Sequence, residues 1–215
     1  VVLEFLDIPE SNKLVESKAI PIIPVFVDSP LATKVTEIYK ASTNLFNERA
    51  QSEIRVGDDL FNFPRLSFTV STDESRAIDH AQSPKIIIAG SGMSVGGRVI
   101  HHEEVYLGNE KNTILLVGYQ TLGSIGRHLL DGSRKVNIHG VDIDVHAKIE
   151  SILGYSSHKD SDHLLEFIST AEKSAKKVFV VMGEPKASLF LVQKIRDNLG
   201  LDALYPERVK RYKLD

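Results

Sequence analysis

The stretch His158-Lys159-Asp160-Ser161-Asp162-His163 puts two imidazoles and two carboxylates within six residues. Such a set suits either metal ligation or acid–base work, in which a carboxylate holds an imidazole ready to give or take a proton. A helix start explains part of it as well. Ser161-Asp162-His163-Leu164-Leu165 opens an apolar-periodic segment with Ser or Asp as cap, which makes Asp162 and His163 first-turn residues. Only His158 and Asp160 then lie in the loop proper, where His158 is either a solvated loop histidine or a general acid held by a carboxylate. His101 and His102 are adjacent on a predicted helix, so they should diverge around its axis and not share one metal easily. His80, His128, His139 and His146 are scattered and carry no assigned chemistry.

Two further segments offer anion chemistry. Gly90-Ser91-Gly92-Met93-Ser94-Val95-Gly96-Gly97 sits where a strand hands over to a helix, so its backbone N–H groups could cradle a phosphate at the helix N-terminus. A purely steric tight turn accounts for the same glycines. The loop departs from the dinucleotide fingerprint, with Val95 at the third glycine's place, and from the Walker pattern, since no Gly-Lys-Ser/Thr follows. The second loop, Gly118-Tyr119-Gln120-Thr121-Leu122-Gly123-Ser124-Ile125-Gly126-Arg127, adds Gln120, Ser124 and Arg127 as donors. Two such loops at one edge of a parallel sheet would converge on an extended anionic ligand; taken alone, Arg127 is also an ordinary helix-surface residue.

The elements that must position these loops are legible in the apolar pattern. A β-rich run from Ile20 to Val27 precedes a helix over 32–47, and the continuous apolar runs Lys85–Ala89 and Thr113–Val117 read as buried parallel strands. Helices are predicted over 97–107, 124–130, 161–172 and 185–199, with a further strand over 177–181. Val136–His139 and Val145–Ile149 alternate and look antiparallel, exposed on one face. Strands alternating with helices give an α/β class with a parallel sheet. A boundary near residue 145 divides the chain into 1–145 and 146–215.

The chain has 215 residues, 42% hydrophobic and 26% charged, enough for an ordinary core in one domain or two small ones. A net charge of −3 excludes a protein that coats nucleic acid non-specifically, so any such contact must be local. The absence of cysteine rules out disulfides and thiolate zinc sites and fits a reducing compartment, with the cytoplasm as the expectation. No apolar run approaches a membrane span, and the start at Val1 suggests a piece of a longer protein.

Together, Val27-Asp28-Ser29-Pro30-Leu31-Ala32, the run from Ile88 through Gly97 to Arg98, Val117-Gly118-Tyr119-Gln120 with Gly123 to Arg127, and Gly154-Tyr155-Ser156-Ser157-His158-Lys159-Asp160 resemble the β-CASP family of metallo-β-lactamase-fold ribonucleases, in order and over nearly the whole chain. The resemblance implies a β-CASP domain with a parallel sheet flanked by helices, followed by the C-terminal strands and helices of a metallo-β-lactamase fold. It implies a hydrolase in which two zinc ions activate water against an RNA phosphate. Under it His158, with Asp160, is the catalytic candidate. Ser91, Gly92, Ser94, Gly96, Gly97, Gln120, Ser124, Gly126, Arg127, Ser156 and Ser157 lie along a single-stranded RNA path.

The departures matter too. The family's opening metal ligands would precede this segment, and Met182 stands where a histidine ligand is expected before Gly183-Glu184. A thioether is a poor zinc ligand. The expectation is therefore an RNA-binding, lid-forming portion of a nuclease, inactive as an isolated chain, with zinc in the parent and none here. Its partners would be RNA and the missing N-terminal half, with a homodimer left open and no membrane. The alternative is a pseudo-nuclease that binds RNA or docks a partner through a decayed metal site.

Overall fold

The computed structural model describes residues 17–57, 59–152, 154 and 158–213. By its contacts the chain divides into two units, Val1–Ser156 and Ser157–Asp215. The first opens with β1 (Val25–Asp28), whose last residues feed directly into α1 (Pro30–Ala41). Ser29 caps that helix by accepting a hydrogen bond from Ala32 N at 3.2 Å, and Pro30 takes the first turn, where its missing N–H costs nothing. The predicted helix over 32–47 is shorter than expected. It ends at Ala41, a 3-10 turn covers Thr43–Leu45, and a separate helix α2 (Glu48–Arg55) starts on the Asn47 cap.

Next come β2 (Leu66–Phe68), the capping-box helix α3 (Thr72–Ala77), a 3-10 turn at Ile78–His80, and β3 (Ile86–Ala89). The three strands form a parallel sheet in the order β2-β1-β3. After α4 (Arg98–Tyr106) comes β4 (Thr113–Val117), then α5 (Ile125–Leu130). β4 does not join the first sheet: it pairs in parallel with β7 (Lys148–Ile152), making a separate ladder. The expectation of one parallel sheet carrying both glycine loops is thus replaced by two ladders.

The antiparallel prediction is corrected in register. β5 (Lys135–Ile138) pairs antiparallel with β6 (Val141–Asp144), while residues 145–147 lie in no ladder and the strand expected near 145–149 runs parallel to β4. Val145 and Ala147 are nonetheless buried on either side of exposed His146, which imitates the alternation of a half-buried strand. They belong to the main core of this unit, with Ile100, Leu107, Leu116, Leu129, Val136 and Ile138. Fully burying a side chain of this size is worth roughly 1.5–3 kcal/mol, so these residues fix α4, α5 and the β5–β6 hairpin against β4.

The second unit contains α6 (Ser161–Ser169), β8 (Val178–Phe179), α7 (Pro185–Leu199) and β9 (Ala203–Leu204). β8 and β9 pair in parallel, and Val180, Val192, Ile195 and Ala203 form its core. α7 starts on Pro185 and stops at Gly200, which takes the left-handed conformation at φ 63°. No described helix is long and apolar enough to cross a membrane.

Candidate nucleic-acid interface

The loop after β3 is closed at its neck. Val99 N donates to Gly90 O at 3.0 Å, and Ser91 N reaches Gly96 O at 3.4 Å. Gly97 adopts φ 76°, and a Cβ there would lie 2.8 Å from Gly90 O, so both the torsion and the close approach require glycine. Gly92 and Gly97 are exposed, and Ser91 and Gly96 half-buried. Ser94, by contrast, is 1% exposed, and its hydroxyl donates to Glu103 on α4. Burial pushes the Glu103 carboxyl up from its ordinary range, and the Ser94 hydrogen bond offsets part of that shift.

The loop after β4 meets this one directly. Gln120, 1% exposed, donates from Nε2 to Gly92 O at 2.7 Å and so staples the two loops together although their strands belong to different ladders. Gly126, at the start of α5, packs against that amide: a Cβ on it would lie 1.9 Å from Gln120 Oε1 and 3.2 Å from Met93 O. Ser124 caps α5, accepting from Arg127 N at 3.1 Å and donating to Thr121 O at 2.8 Å. Arg127 Nε lies 3.0 Å from both carboxylate oxygens of Asp131, and its guanidinium reaches back to Gln120 O at 3.5 Å.

These residues therefore fall into two groups. Ser94, Gln120, Ser124 and Gly126 are buried and spend their polar atoms or their lack of a side chain on loop shape. Gly92 and Gly97 are exposed, and Ser91, Gly96 and Arg127 are partly exposed. The remaining candidates lie elsewhere: His158 and Asp160 in the second unit, both exposed, and Ser156 and Ser157 outside the described residues. Asp160 caps α6, accepting from Asp162 N at 3.0 Å and His163 N at 2.9 Å, with His163 Nδ1 at 2.8 Å. The backbone hydrogen bond from His163 and the His163 side chain hold its carboxyl below the usual range. Asp162 pairs with Lys194 on α7, so the dense run of acids and imidazoles resolves into a capped helix start. Met182 is fully exposed at φ 67°.

Sequence reasoning missed one polar centre altogether. Asp28, at the end of β1, is completely buried, and its carboxylate gathers Thr69, Ser75, Arg98 and His102 Nε2, the last at 2.8 Å. Burial raises its pKa, but hydrogen bonds from Ser75, Thr69, His102 and Arg98 outweigh that and leave the carboxyl below its ordinary value. Arg98 also donates to Thr69 O at 3.0 Å, so one charged cluster ties β1, α3 and α4 together. The available signal was an acid closing an apolar strand just before a Ser-Pro helix start.

Comparisons with known proteins identify the family. The family model described as the Beta-Casp domain covers residues 10–129, and that described as the Zn-dependent metallo-hydrolase RNA specificity domain covers residues 142–206. Ribonuclease TTHA0252 of Thermus thermophilus is 31% identical over 172 residues, 80% of this chain and 39% of that protein. Transcription termination factor FttA of Pyrococcus horikoshii is 26% identical over 198 residues, 89% of this chain and 30% of that protein. Integrator complex subunit 11 of Gallus gallus is 27% identical over 184 residues, 85% of this chain and 29% of that protein. The chain thus spans well under half the length of these curated relatives. With its strand-to-helix glycine loops, mixed α/β architecture and a Beta-Casp match over more than half its length, the chain belongs to the β-CASP family of metallo-β-lactamase-fold ribonucleases.

Proposed function

We propose that this chain is the RNA-gripping, lid-forming portion of a zinc-dependent ribonuclease that hydrolyses phosphodiester bonds in RNA processing or decay. The observation that carries this reading is the Gln120–Gly92 hydrogen bond, which fuses two glycine-rich, strand-to-helix loops into one surface. On that surface Ser91, Gly92, Gly96, Gly97 and Arg127 contact the phosphates of single-stranded RNA, while Ser94, Gln120, Ser124 and Gly126 hold its shape. By the family resemblance Ser156 and Ser157 also contact RNA and His158 protonates the leaving oxygen, while Asp160 caps the helix that follows it. Backbone N–H groups suit this task because phosphate contacts position a nucleic acid without reading its sequence.

The zinc implied by the family description does not fit at Met182, where the side chain is a fully exposed thioether. The ligands of the catalytic metal therefore belong to other parts of the parent, and this chain binds and orients RNA without cleaving it alone. The same residue favours a second reading, a pseudo-nuclease subunit that keeps RNA binding or partner docking. Absence of cysteine supports a cytoplasmic setting for either.

The test is anisotropy with labelled single-stranded RNA on the isolated chain, followed by cleavage assays on the parent. Salt-dependent binding is expected, and Arg127→Ala should weaken it equally across sequences and reduce the salt slope by about 1. In the parent, His158→Ala should lower cleavage while leaving RNA affinity and metal content in place. Binding that ignores salt and Arg127 would remove the reading; a parent that binds RNA but never cleaves it would establish the pseudo-nuclease.

A further inference from the structure

Asp79, His101 and His102 form a polar cluster that no role in RNA binding accounts for. One ligand atom from each lies within 4.8 Å of the other two. The helical-wheel expectation that adjacent histidines diverge holds for the backbone but not for the ring nitrogens, because Asp79 approaches both rings from a different element, the 3-10 turn at Ile78–His80. Asp79 Oδ2 lies 2.9 Å from His101 Nε2, and Oδ1 lies 3.9 Å from His102 Nδ1. Tyr106 donates to Oδ1 at 3.3 Å. Lys85 donates its ammonium to the carbonyls of Ile78, Asp79 and Ala81, which fixes the turn that presents the carboxylate.

His102 supplies the independent observation. It is 5% exposed, and its Nδ1 is buried without a hydrogen-bond partner. Its other nitrogen is held at 2.8 Å by Asp28, whose negative charge Arg98 already balances. With Asp28 accepting at Nε2, a neutral His102 ring carries its lone pair on Nδ1, on the side of the Asp79 carboxylate. That pairing in a buried site calls for a cation between the two, a proton or a metal ion, and the experiment below tells these apart. Carboxylate-held histidine is also the arrangement that orients imidazole ligands in metal sites.

We propose that Asp79, His101 and His102 bind a divalent transition-metal ion of the zinc class, with water completing its coordination. Two neutral imidazoles and one carboxylate suit zinc, iron(II), cobalt or nickel and are too nitrogen-rich for calcium or magnesium. Ligand atoms on one tetrahedral ion at about 2.0–2.2 Å stand about 3.4 Å apart; the Asp79 oxygens lie 2.9 Å from His101 Nε2 and 3.9 Å from His102 Nδ1, on either side of that value. His101, partly exposed, supplies the entry path. The ion would clamp α4 to the turn after α3.

Cobalt(II) titration of the chelator-treated chain tests this, read by visible absorption and by the ring ¹H–¹⁵N resonances of the histidines. One cobalt per chain is expected, displaced by zinc, with the His101 and His102 rings shifting in step. Asp79→Asn and His101→Ala, checked for folding by circular dichroism, should each lower affinity by about tenfold or more, the scale on which even supporting groups act. His163→Ala, which removes the exposed pair with Asp160, should leave it unchanged. Binding indifferent to Asp79 and His101, or ring resonances that show His102 as an imidazolium and ignore added metal, overturns the proposal. The ring resonances decide the matter in the native chain should a variant not fold. RNA binding is measured separately, so neither result depends on the other.

Discussion

Gly126→Ala should unfasten the two glycine loops from each other, and the cost can be worked from the structure. The added methyl would lie 1.9 Å from Gln120 Oε1, 2.9 Å from its Cδ and 3.2 Å from Met93 O. An unstrained contact sits at roughly 3.5 Å, and the Met93 carbonyl belongs to a closed loop, so Gln120 must move. It has no room to do so in place, being 1% exposed, and swinging it outward breaks its hydrogen bond to Gly92 O. Overpacking costs about 1–3 kcal/mol and a lost hydrogen bond about 1 kcal/mol, so the total should be about 2–4 kcal/mol. Because the chain divides into two units, global unfolding need not be two-state, and local amide hydrogen exchange over 90–97 and 118–127 is the better assay. Both segments should lose protection together. Gln120→Ala removes the clashing amide, so adding Gly126→Ala to that background should cost far less, with a coupling of about 1 kcal/mol or more. Additive effects, or exchange that changes in only one loop, would refute the staple.

Asp28→Asn should destabilise the first unit by on the order of 3 kcal/mol, since it leaves the Arg98 charge uncompensated, and Arg98→Met in the same background should restore part of the urea midpoint. The lowered pKa of Asp28 makes its stabilisation complete above its ordinary value of 3.8 and lost as pH falls below that through the folded-state value, which an acid titration of the urea midpoint will follow. Glu103 runs the other way. Its raised pKa makes its contribution complete below its ordinary 4.5 and lost as pH rises through the folded-state value, so Glu103→Gln should remove that loss from the stability–pH curve. Ser94→Ala, which deletes the hydroxyl favouring the charged form, should push the same loss to higher pH.

The elements that announce themselves in the sequence are those whose signal is local. Ile86–Ala89 and Thr113–Val117 are short apolar runs bounded by turn residues, and Pro185–Leu199 has proline at its start and glycine past its end. Leu66–Phe68 is three residues long with alternating exposure beside Pro64, too brief to show a period. Residues 145–147 misled because core packing alone buries Val145 and Ala147, without strand pairing. The same limit governs the site. The two glycine loops are contiguous and were visible as loops, but the Gln120–Gly92 bond spans 28 positions, and Asp28 meets partners 41 to 74 positions away. Nothing local marks Asp79 as the neighbour of His101 and His102, since the carboxylate comes from another turn.

The pinched neck at Gly90 and Gly97 divides the first loop into two parts with different duties. The hydrogen bonds and close backbone approach that close the neck use no atom of residues 92–95. The tip's atoms are spent elsewhere: Gly92 O accepts from Gln120 and Ser94 donates to Glu103 on α4. A change in the tip therefore leaves the neck closed but is felt by the second loop and by α4. The first loop thus works as a coupling, anchored at its neck and engaged with its neighbours through its tip.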